Sequence, residues 1–65
     1  MKQKYNLVGI DGNAYSVIGY VIQAMKREGF SKSEIDDYRA DAKSSDYNHL
    51  LSVSAEMIDK CNNKL

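Results

Sequence analysis

The sequence predicts a small α+β domain, an N-terminal strand or hairpin followed by three helices, on three observations. An apolar run over 4–10 stops at a turn signal, a stripe of apolar residues at helical spacing runs from Ala14 to Met25, and a capping box stands at Ser31. The 65 residues make one domain. A chain this short buries only roughly 60% of the surface its unfolded form exposes, so its stability margin is thin and deep walled clefts are not expected.

The first element is the segment KYNLVGI at 4–10. It alternates poorly but is rich in Tyr, Leu, Val and Ile, and it ends at Asp11-Gly12, a strong turn dipeptide. It reads as a short strand. The same dipeptide could close a hairpin with AYSVIG as the return strand. Against that, Ala14, Val17, Ile18, Val21, Ile22 and Met25 recur at i, i+3, i+4, i+7, i+8 and i+11, the stripe of an amphipathic helix over 13–28. Asp11 or Asn13 would cap it and Gly29 would stop it. Gly19 weakens that helix by about 1 kcal/mol relative to Ala and reads as a place of close approach by the strand or a neighbouring helix.

The second helix is expected over 32–44. Ser31 and Glu34 form an S-x-x-E capping box, with Phe30 and Ile35 at the two positions of a hydrophobic staple. Ile35, Tyr38 and Ala42 mark its buried face, while Glu34, Asp37 and Asp41 share another. Asp46 caps a third helix over 46–62, whose buried stripe would be Tyr47, Leu50, Leu51, Ser54, Met57, Ile58 and Cys61. A lone strand leaves unpaired backbone groups along both edges. It must pair with a hairpin partner, with a second copy in a homodimer, or with a partner protein by strand addition.

Composition narrows the function classes. Hydrophobic residues are 43% and charged residues 28%, ordinary for a globular domain, and no apolar run approaches the ~20 residues that cross a bilayer. No signal peptide is evident, and the single cysteine, Cys61, points to a reducing cytosol. Net charge is zero but unevenly placed: residues 1–32 carry a balance of +3 and residues 33–46 a balance of −3. An acidic middle argues against general nucleic-acid affinity.

Catalytic chemistry is not evident. His49 and Cys61 would sit on one helix about 18 Å apart at 1.5 Å rise per residue, too far to act together. Gly9-Ile10-Asp11-Gly12-Asn13 lacks the lysine and the spacing of a phosphate-binding loop, and Asp11 and Asn13 lack the remaining ligands of a calcium loop. No metal or cofactor is expected, since acidic residues at the start of a helix are explained by its macrodipole. The reading is a non-enzymatic protein that binds a macromolecular partner. The acidic face of Glu34, Asp37 and Asp41, with Asp36 at its side, could imitate a row of phosphates and meet a basic surface. Tyr15 and Tyr20, beside the main stripe of the first helix, are candidate interface anchors. The alternative is a nucleic-acid-associated accessory protein using Lys2, Lys4, Lys26, Arg27 and Lys32.

DGNAY at 11–15, Gly19, Gly29, EID at 34–36, Ala42 and SDYNHLL at 45–51 together resemble a family of small uncharacterised proteins of bacteriophages and mobile elements. Its pattern is DGNAF…G…AL…AG…EI…A…GDYDHLL, and the similarity runs from Val8 to about Leu51. Tyr15, Ser45 and Asn48 depart from it. The family supplies no catalytic residues to carry over. The resemblance implies a protein of the bacterial host cytoplasm that obstructs a host protein or complex, as anti-CRISPR proteins do.

Overall fold

The computed structural model describes residues 4–7 and 9–63 and is a three-helix domain: α1, Ala14–Arg27; α2, Lys32–Ala42; and α3, Tyr47–Asn63. Each helix packs against both others. The chain measures 31 × 27 × 15 Å along its principal axes, a slab rather than a sphere.

The expected α+β class is overturned, because no strand or hairpin occurs among the described residues. Residues 4–7 are an irregular arm laid on the helices (Val8, within the expected strand, and Lys2 lie outside the described residues). Tyr5 explains why no sheet is needed. Its N–H donates to Oδ1 of Asn62 at 3.0 Å, and its carbonyl accepts from Nδ2 of the same side chain at 3.1 Å. A carboxamide offers one donor and one acceptor side by side, as the peptide group of a neighbouring strand would. One asparagine on α3 thus satisfies the backbone that a strand partner would have had to pair. Asn6 N–H adds a 2.9 Å bond to the Tyr20 hydroxyl. The apolar content of the arm is real, but it serves docking: Tyr5 is buried in the core and Leu7 packs at its edge.

AYSVIG, the hairpin's supposed return strand, is the first turn and a half of α1. Asn13 caps that helix, accepting the Tyr15 N–H at 2.8 Å, while Asp11 Oδ1 accepts the Asn13 N–H at 3.3 Å. At the other end Gly29 adopts φ +82°. Its N–H bonds Lys26 O at 3.2 Å and that of Phe30 bonds Met25 O at 3.0 Å, the two bonds of a Schellman stop. Gly19 is not a point of close approach, since a Cβ there would meet nothing within 4 Å.

Phe30 ends α1 and introduces α2. Both halves of the Ser31–Glu34 capping box are formed, with Glu34 N–H to Ser31 Oγ at 3.1 Å and Ser31 N–H to Glu34 Oε1 at 2.9 Å. Ile35, Tyr38 and Ala42 are buried. Asp46 caps α3 by accepting the His49 N–H at 2.9 Å. The buried stripe of α3 is Leu50, Ser54, Ile58, Cys61 and Asn62. Tyr47, Leu51 and Met57, expected within it, stand outside, the first two exposed and Met57 half-buried. Ser54 is fully buried because its hydroxyl bonds that of Tyr38 at 2.6 Å, joining α2 to α3 through the core.

Candidate functional site

The sequence-predicted binding residues do not form one site. The helices divide them among three clefts and an exposed ladder of ion pairs.

Glu34, Asp37 and Asp41 do come together, along a groove of about 290 Å³ between α2 and α3. Their spacing puts one carboxylate on each turn of the α2 face beside the seam. From α3, Val53, Glu56, Met57 and Lys60 line the opposite side, again at i, i+3, i+4 and i+7. Half-buried Phe30, Val53 and Met57, with the buried ring of Tyr38, give the groove an apolar floor. Its rim therefore carries four carboxylates and one ammonium over an apolar base.

Two of those carboxylates already serve the fold. Glu34 closes the capping box. Asp41 Oδ1 lies 3.0 Å from Nε2 of His49, a bond from α2 to α3, and 3.4 Å from the Ser44 hydroxyl. Asp37 and Glu56 have no such duty: neither bonds a described residue. Sequence reasoning missed Glu56 and Val53, and it placed Met57 in the buried stripe rather than on this groove. The signal was a second, half-apolar stripe on α3 one residue off the buried one.

Asp36 belongs elsewhere. It sits in an exposed ladder between Lys32 at 3.0 Å and Arg39 at 3.4 Å, and the Lys32 hydrogen bond holds its carboxyl below the usual value. It faces away from the groove and is absent from its lining.

The two tyrosines separate as well. Tyr20 is half-buried, with its hydroxyl taken by Asn6 N–H. It lines a cleft of about 400 Å³ with Lys4, Gln23 and Arg27. Tyr15 is 75% exposed and lines another cleft, of about 360 Å³, with Tyr47.

The basic residues of the N-terminal half are partly neutralised. Lys4 lies 3.7 Å from the Glu28 carboxylate, and Lys32 is bonded to Asp36. Among the described residues no group of three or more His, Cys, Asp and Glu side chains is arranged to hold a metal ion, and no helix is long and apolar enough to cross a membrane. Cys61 is fully buried.

No family model, curated protein or solved structure matches the chain.

Proposed function

We propose that this chain is a non-enzymatic protein-binding module whose α2–α3 groove receives a basic, partly apolar segment of a partner protein. The observation that carries the reading is the placement of Asp37 and Glu56 on opposite rims of an apolar-floored groove, where neither carboxylate forms an ion pair with a described residue and Lys60 is the one cation of the rim. Burying the apolar face of an incoming segment on Phe30, Val53 and Met57 would supply affinity, while its cations would find the rim. Charge complementarity of this kind chiefly raises the association rate and fixes orientation, and it fades as salt screens it. The resemblance of DGNAY and SDYNHLL to phage and mobile-element proteins supports a partner in a host machine, with antagonism of a defence complex as its most concrete form.

The nucleic-acid reading has less behind it. Pairing of Lys4 and Lys32 leaves only Lys26 and Arg27, of the described basic residues in the N-terminal half, to meet phosphates.

The test is affinity capture from bacterial lysate with the wild type, with Asp37→Lys/Glu56→Lys, and with Asp36→Lys. Reversal at the groove should abolish capture of a protein that the wild type retains, and raised salt should mimic it. Asp36→Lys should capture as the wild type does even though it melts somewhat lower for loss of its pairs with Lys32 and Arg39, and the groove variant should melt as the wild type does. Equal capture by the groove variant would remove the groove from the binding surface. Capture of DNA that survives groove reversal would favour the basic half.

A further inference from the structure

Three large apolar side chains of the described residues stand exposed: Tyr15 at 75%, Tyr47 at 43% and Leu51 at 36%. Tyr15 and Tyr47 flank one cleft, and Leu51 follows Tyr47 by one turn of α3. The cleft opens where the first turns of α1 and α3 meet the end of α2, and buried Ile18, Ala42 and Leu50 form its floor. That floor is core, so the cleft keeps its shape. Tyr47 is held as well, its hydroxyl donating to the Gly12 carbonyl.

Tyr15 is different. Tyr5, Tyr20, Tyr38 and Tyr47 each spend their hydroxyl on a bond between distant parts of the chain. The Tyr15 hydroxyl bonds no described residue, and its ring projects beside the cleft with the Lys43 ammonium 5.8 Å from its centre. Among the described residues that ammonium is the ring's one polar contact. The patch also holds one charge of each sign, Lys43 and Asp46.

We infer that this patch is a contact between two copies of the chain related by a two-fold axis. In such a contact a surface meets itself, so it must be complementary to itself. A projecting ring beside an open cleft meets that condition, and so does a cation beside a carboxylate. Tyr15 of each copy enters the cleft of the other, and Lys43 of each faces Asp46 of the other. The patch is well short of the roughly 20–30 residues a side of a standard interface, so the dimer is weak and dissociates on dilution. It replaces the strand-mediated dimer that the sequence suggested, and it does not depend on the α2–α3 groove.

Sedimentation equilibrium of the full chain over about 10 µM to 1 mM, the range in which a contact this small associates, tests the inference. The wild type should shift from monomer towards dimer with concentration. Tyr15→Ser and Lys43→Glu should each weaken association about tenfold or more, as loss of an interface anchor does. Tyr15 is exposed, so Tyr15→Ser should melt close to the wild type, Lys43→Glu should melt slightly lower because it puts an anion at the C-cap of α2, and Asp37→Lys should dimerise normally. A wild type that stays monomeric throughout overturns the proposal. So does a dimer that neither substitution weakens. Loss of a captured lysate protein on Tyr15→Ser, with the wild type monomeric, would give the patch to a different protein.

Discussion

Tyr5 donates its hydroxyl to the Glu28 carboxylate while its ring lies in the core. The bond to that anion, reinforced by burial, pushes the phenol up to about 12. Tyr38 is also raised, by burial, with its Ser54 bond pulling the other way. A phenol with a raised value in the folded chain keeps its proton where the unfolded chain, titrating at about 10, has lost it. The stabilising contribution is therefore whole below about pH 10 and falls as pH rises from there to about 12. Ultraviolet titration of the five tyrosines should show the last ionisation near that upper value, and Tyr5→Phe should remove it and soften the alkaline loss of stability. An unchanged titration curve in that variant would dismiss the Tyr5–Glu28 bond. None of this was legible in the sequence. Five tyrosines beside apolar stripes look alike there, and what separates them is which distant atom each hydroxyl reaches.

Among the elements, local signals were readable because their causes are local. The Ser31–Glu34 box, the Asn13 and Asp46 caps and the Gly29 stop each involve residues within a few positions of one another. The stripes were readable in part. Every apolar residue expected on the buried face of α2 is buried, whereas α3 exposes Tyr47 and Leu51, since a stripe drawn from polarity alone does not tell how wide a face its neighbours cover. The two glycines give a sharp test. Gly19→Ala adds a methyl in open space within a helix and should stabilise by about 1 kcal/mol. Gly29→Ala forces a side chain into a left-handed turn and should destabilise by about 1–2 kcal/mol. Urea unfolding should show opposite shifts. Shifts of the same sign would mean that one of the two turns is wrongly placed.

For the whole molecule, the strand was misread because its remedy lay at the far end of the chain. Residues 4–7 needed partners for their backbone groups, and nothing near them in sequence showed that Asn62 would supply two. The candidate groove failed in the same way: its α2 rim was visible as a row of carboxylates, but the α3 rim appears only once the helices are packed. Asn62→Ala should therefore act beyond its own position. It leaves the Tyr5 N–H and C=O without partners, costing about 1–3 kcal/mol. In a domain this small that lowers the melting temperature by several degrees. Hydrogen exchange should accelerate at Tyr5 and leave the middle of each helix less affected. If the Tyr5 amide stayed protected, some other group would be holding the arm.

The same asparagine sets an order of events in folding. Tyr5 and Asn62 lie 57 positions apart, whereas the caps and turns close over two to five. Loop-closure entropy favours the short loops first, and helical domains rich in local contacts cross their barrier on those contacts. The arm then latches onto a bundle that is already assembled. A latch formed after the barrier slows escape without speeding arrival. Stopped-flow measurements on Asn62→Ala should show a wild-type refolding rate and faster unfolding, so the two hydrogen bonds of one side chain set how long the native state lasts rather than how quickly it forms.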